Sequence, residues 1–175
     1  MTVRKLFIII ALFTGYNSFG QKAEINMFCE AVDSSIINNK HIVLHIIRHQ
    51  TGYDSLRYCD RFYIDTSKGI LVKTIYEFYF EGDGEYLEFY YRNNEIIKVN
   101  ARHKLSERKF AGAFYFKSDN LIAHSDGEIS PGKIVFDLQQ ILKTGNGYKN
   151  DSIEIIKCLK KKQAEIRCPL SPEID

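Results

Sequence analysis

The sequence predicts an α+β fold, a meandering antiparallel sheet with helices packed on its aromatic face. Sixteen of the twenty-three aromatic residues fall between Tyr53 and Phe116. They stand in alternating runs, the period of a half-buried strand. Apolar residues spaced by three and four flank this centre on both sides, as amphipathic helices require. Turn signals such as Asp83-Gly84 and Asn93-Asn94 separate the runs, so neighbouring strands join as hairpins.

The N-terminus has the organisation of an export signal. Arg4 and Lys5 give a basic start, Leu6 to Phe13 is unbroken apolar sequence, and Ser18 and Gly20 are small residues where a signal peptidase reads. The apolar run is too short for ~30 Å of hydrocarbon, which takes about 20 residues. Residues 1–20 are therefore expected to be cleaved near Gly20, leaving 21–175 as one domain that is periplasmic or secreted. No cysteine at the junction offers a lipid anchor.

A helix is expected from Ala23 to about Asn38, where Ile25, Phe28, Cys29, Val32 and Ile36 share a face. The β-branched stretch His41–His49 reads as a strand, and 56–65 as another, turning at Thr66–Gly69. Three alternating runs follow. Tyr76, Phe78 and Phe80 interleave with Glu77 and Tyr79; Leu87, Phe89 and Tyr91 with Tyr86, Glu88 and Tyr90; Ile97, Val99 and Ala101 with Lys98, Asn100 and Arg102.

A two-residue turn at Asp83-Gly84 pairs Phe80 with Leu87 and Phe78 with Phe89. A three-residue loop, Asn93 to Glu95, pairs Phe89 with Val99 and Leu87 with Ala101, and puts Glu95 in the left-handed position. The segment Phe89–Ile97 is repeated weakly as Phe114–Ile122, with Asn120 in place of Glu95. This reads as two hairpins of one meander. Beyond them, Ser130-Pro131 opens a helix that Gly145 closes. Asp151 with Glu154 opens a second helix, through about Lys162.

Composition narrows the function. The formal charge of the whole chain is +2. Residues 1–20 hold two of its basic residues and no acid, so the remainder is neutral. Nucleic acid, which demands a surplus of Lys and Arg, is not an expected partner. No mature segment has the length of a membrane span. Cys29, Cys59, Cys158 and Cys168 allow two disulfides by three connectivities, and at least one is expected, with Cys168 pinning the tail.

Catalytic and metal patterns are sparse. His41, His45 and His49 recur at helical spacing, but on a strand neighbours would stand about 13 Å apart and cannot chelate together. His124-Ser125-Asp126 holds triad residue types but is contiguous, and extended chain turns Ser125 away from its neighbours. No nucleophile elbow or phosphate loop is present. The glycine-rich Glu81–Glu85 lacks calcium-loop spacing. No metal and no cofactor is expected.

What remains is the mixed face of the central strands. Tyr79, Tyr86, Glu88, Tyr90, Lys98 and Arg102 form the candidate ligand or partner face, acidic on one side and basic on the other. Tyrosine supplies contact area and a hydroxyl at low entropic cost. With export, this points to a non-enzymatic protein binding another envelope protein or a small polar ligand. The alternative is a hydrolase assembled only in three dimensions, around His103 or His124.

The order of signal, amphipathic helix and strands ending in Phe89-Tyr-Tyr-Arg-Asn-Asn-Glu-Ile-Ile97 and Phe114-Tyr-Phe-Lys-Ser-Asp-Asn-Leu-Ile122 resembles a group of small uncharacterised exported bacterial proteins. That resemblance covers about residues 21 to 125 and implies no activity. A looser one is to MORN-type hairpin repeats, whose flanking glycines are largely missing here.

Overall fold

The computed structural model describes residues 3–38, 40–49, 57–65, 67–80, 83–105, 108–127 and 137–161. Side chains are described for 20–38, 40–46, 58–65, 67–80, 83–103, 111–125 and 137–161. Helix α1 (Val3–Ile37) is followed by seven strands and helix α2 (Leu138–Lys161). The strands are β1 (Ile42–His49), β2 (Arg57–Asp65), β3 (Ile70–Phe80), β4 (Asp83–Arg92), β5 (Glu95–Leu105), β6 (Arg108–Lys117) and β7 (Asn120–Gly127). They form one antiparallel sheet in chain order, a pure meander. No described helix is long and apolar enough to cross a membrane.

Alternation gives the sheet two different faces, and each carries a helix. Leu87, Phe89 and Tyr91 of β4 belong to one core with Phe62, Val99 and Phe116, closed by Ile141, Leu142, Tyr148 and Ile155 of α2. Tyr90, Ile97 and Tyr115 belong to the other core, closed by Ile25, Cys29 and Val32 of α1. The aromatic face thus takes α2, while α1 lies on the mixed face. The expected apolar stripe of α1 is the one that is buried. The helix itself starts at Val3 rather than Ala23, and no proline stands in that span to break it.

The β3–β4 register differs from the expected one. Tyr76 opposes Leu87 and Thr74 opposes Phe89, and Phe80 closes against Asp83. β3 ends at Phe80 and β4 begins at Asp83, so Asp83-Gly84 lies inside β4. The two registers differ by four residues, an even number, so both keep the same side chains on each face. The body of β4–β5 is as expected, with Phe89 opposite Val99 and Leu87 opposite Ala101.

The turns of that hairpin and its repeat differ from the expectation in the same way. Asn93 and Asn94 have φ of 53° and 65°, and Ser118 and Asp119 have 48° and 60°. These are left-handed pairs of type I′ turns, whose twist matches the strands. Glu95 and Asn120 are strand residues. The register shift that the expected loop absorbed occurs as a bulge between Tyr90 and Tyr91, and again between Tyr115 and Phe116. The weak repeat therefore has a structural counterpart: the same turn and the same bulge, twenty-five residues apart.

Helix α2 is continuous through Gly145, where the sequence suggested a stop. A Cβ there would lie 2.7 Å from Phe89 and Ile96 side-chain carbons. Gly145 thus lets the helix backbone approach the sheet, and Tyr91 donates to its carbonyl at 3.0 Å. Asp137 caps the helix, accepting from the Gln139 and Gln140 amides at 3.0 and 3.1 Å. The Asp151–Glu154 pair is mid-helix, and Ser130-Pro131 lies outside the described residues. Tyr148 anchors the middle by donating to Asp60 at 2.7 Å. Cys29, Cys59 and Cys158 are free thiols, and Cys168 lies outside the described residues.

Candidate functional site

The strand registers arrange the mixed face in transverse rows. Tyr63, Lys73, Tyr90, Lys98 and Tyr115 oppose one another in succession across β2 to β6. Aromatic and cationic side chains alternate along this row. Lys73 Nζ lies 6.0 Å from the Tyr63 ring centre and 4.6 Å from that of Tyr90. Lys98 Nζ lies 5.9 Å from Tyr90 and 5.4 Å from Tyr115. Each distance is within cation–π range.

Helix α1 crosses this row and supplies its acceptors. Lys73 Nζ donates to Asp33 Oδ1 and to the Tyr90 hydroxyl, and pairs with Glu88 Oε1 at 2.6 Å. Three donors meet three acceptors, so the ammonium is satisfied. Tyr90 in turn donates to Asp33 Oδ2 at 2.9 Å. Glu88 Oε2 accepts from Asn100 at 2.6 Å, and Oε1 from Tyr86 at 3.3 Å. Further along α1, Asn26 Oδ1 accepts from Lys98 at 2.9 Å and from Tyr115 at 3.1 Å.

Burial opposes the charged form of both Lys73 and Glu88, but their hydrogen bonds outweigh it. The lysine is held above its ordinary pKa and the glutamate below its own. Burial, with Glu88 and Asp33 nearby, pushes the Tyr90 hydroxyl far up. It therefore stays a donor rather than becoming a phenolate. The arrangement is a lock between α1 and the sheet, in which two lysines meet the carboxylates of Asp33 and Glu88 and the amide of Asn26.

The six candidate residues are consequently divided. Glu88, Tyr90 and Lys98 are engaged under or beside α1, and Glu88 and Tyr90 are buried. Tyr86 and Arg102 stand two rows farther along the strands, about 13 Å from Tyr90 and Lys98. Tyr79 lies one row beyond them. Tyr79 is 53% exposed. Its ring lies over Gly84, where a Cβ would stand 3.0 Å from two ring carbons. The Arg102 guanidinium lies 5.2 Å above the half-buried Tyr86 ring. Arg61 and Glu77 form an ion pair beside them. This open end presents an aromatic surface flanked by two guanidinium groups.

Comparison with known proteins finds no family model, curated protein or solved structure that matches this chain. The site is therefore read from its own chemistry.

The histidines are dispersed. His45 is exposed on β1 opposite Arg61. His103 opposes Glu85, and His124 opposes Phe114 on β7. His124, Ser125 and Asp126 are consecutive in that strand. No group of three His, Cys, Asp or Glu among the described residues is placed to hold a metal ion.

Sequence reasoning missed one Ser–His contact, Ser35 Oγ to His41 Nε2 at 2.6 Å. Ser35 also donates to the Val32 carbonyl at 2.7 Å. Its proton being committed there, Nε2 must donate to Oγ, the reverse of what activates a nucleophile. The contact instead staples the end of α1 to the start of β1.

Lys73 and Asp33 were also missed. Their signal was present: Lys73 interrupts the apolar run Ile70–Ile75, and Asn26 and Asp33 border the apolar stripe of α1. Each is an unusual place for a polar group unless another meets it.

Proposed function

We propose that this chain is an exported, non-enzymatic binding protein of the cell envelope. It would engage another envelope protein or a small polar ligand through the open end of its mixed face. The observation that carries the reading is the contrast along that face. Tyr79, Tyr86 and Arg102 present aromatic and cationic surface at one end, while Glu88, Tyr90 and Lys98 are consumed in holding α1. Aromatic and arginine side chains are the types that most often dominate binding energy at interfaces. The sequence pattern of residues 1–20 supports export.

The test is affinity capture from envelope extract with residues 21–175, comparing the native chain with Tyr79→Ser combined with Arg102→Glu. Both replaced residues are exposed, so the variant should keep its fold by circular dichroism. Loss of a reproducibly captured protein or ligand in the variant supports the reading. Equal capture by both proteins rejects this face.

A further inference from the structure

A cleft beside the two repeated turns is built by the bulges that accompany them. On β5 the bulge leaves Ile97 without an opposite residue, because Tyr90 pairs with Lys98 and Tyr91 with Ile96. On β7 the second bulge does the same for Ile122, between Leu121 and Ala123. A bulge re-aims the side chain that it inserts. Both isoleucines accordingly belong to the core on the α1 side, with Ile25. These three side chains line a cleft of about 300 Å³. Ligand sites run from about 300 to 1,000 Å³, so the cleft suits a small molecule.

The same repeat supplies the rim. Arg92 and Lys117 occupy equivalent positions, each ending the first strand of its hairpin, and both line the cleft with Glu24 and Glu95. Arg92 is committed. It donates to Glu24 at 2.7 Å, and its guanidinium carbon lies 5.5 Å from the Phe28 ring centre. Lys117 and Glu95 are exposed, and among the described residues neither forms an ion pair. Glu95 opens β5 and Lys117 closes β6, on neighbouring strands. The cleft thus presents an uncommitted carboxylate and an uncommitted cation beside an apolar floor.

We propose that this cleft binds a small zwitterion with an apolar side chain, the chemistry of a free amino acid or dipeptide. The ligand's carboxylate accepts from Lys117, its ammonium donates to Glu95, and its side chain covers Ile97 and Ile122. A simple anion would meet like charge at Glu95, and a simple cation would meet it at Lys117; only a zwitterion complements both. The Arg92–Glu24 pair holds α1, and with it Ile25, against the end of β4. That end is opposite the Gly84 end, where Tyr79 lies. The cleft is therefore a second site, separate from the face proposed above.

The full chain is titrated with leucine and with leucyl-leucine, read by saturation-transfer difference NMR. At least one probe should bind at millimolar concentration, and N-acetyl-leucine amide, which carries neither charge, should not displace it. Lys117→Met and Glu95→Gln should each weaken binding about tenfold, the loss of one charge-assisted hydrogen bond. Both side chains are exposed, so thermal midpoints should not change. Tyr79→Ser combined with Arg102→Glu should bind as the native chain does. Absence of binding by both probes overturns the proposal, as does equal binding of the blocked compound or an affinity that survives both cleft variants. Loss of binding in the Tyr79 and Arg102 variant alone places the ligand on the other face and equally overturns it.

Discussion

Lys73, in the middle of β3, lies 2.6 Å from Asp33, forty residues earlier on α1. The lysine side chain is 8% exposed. With Glu88 at the same distance on its other side, it joins helix, sheet and buried charge in one contact. Breaking a buried pair by removing one partner leaves the other charge uncompensated.

Lys73→Met should therefore destabilise the protein by about 3 kcal/mol in urea unfolding, since it strands Glu88. Asp33 is 41% exposed on its side chain, so water can replace its partner. Asp33→Asn should cost clearly less. Equal losses for the two variants would mean that burial does not govern the lock.

The lock also sets a pH dependence. Glu88 is depressed in the folded state, so its contribution is present above about pH 4.3 and is lost as pH falls through the lower folded value. Lys73 is raised, so its contribution is complete below about pH 10.4 and is lost as pH rises through the higher folded value. Unfolding midpoints should form a plateau with a limb at each end. Glu88→Gln should flatten the acid limb; an unchanged limb would assign the acid sensitivity elsewhere.

Gly145→Ala should destabilise, although alanine is the better helix former by about 1 kcal/mol. The added methyl meets Phe89 and Ile96 at 2.7 Å, and both are fully buried. Overpacking of this kind costs roughly 1–3 kcal/mol. A rise in thermal midpoint would show that α2 does not approach the sheet so closely.

Cys29 is buried on the α1 side, and burial pushes its thiol pKa up to about 12. In a thiol-alkylation time course read by peptide mapping, Cys59 and Cys158 should react in the native protein. Cys29 should react only on unfolding. Modification of Cys29 at the rate of Cys59 would contradict the packing of α1 on this face.

Much of this architecture was legible in the sequence because hydrophobic period encodes it directly. The stripe from Ile25 to Ile36, the alternating strands and the recurrence of one hairpin pattern twenty-five residues on all appear as expected, although the turns of both hairpins differ. Errors arose where period is silent. A four-residue shift between β3 and β4 leaves the faces unchanged. Beside the Asn93-Asn94 turn, a bulge between Tyr90 and Tyr91 restores the register that a longer loop would have given.

Gly145 reads as a stop in isolation and becomes a contact surface only beside Phe89. The candidate face divided for a similar reason. Tyr79 and Tyr90 look alike on their strands, and the path of α1 across the sheet distinguishes them. That path depends on Asp33 meeting Lys73, a pairing no local pattern contains.

The central claim is that α1 closes one half of the mixed face and leaves the Tyr79 half open. Oxidative footprinting of residues 21–175 in the native state, read tyrosine by tyrosine, tests it most directly. Tyr79 should be modified rapidly, whereas Tyr90 and the fully buried Tyr91 should stay silent until the protein unfolds. Modification of Tyr90 at a rate comparable to that of Tyr79 would contradict the account.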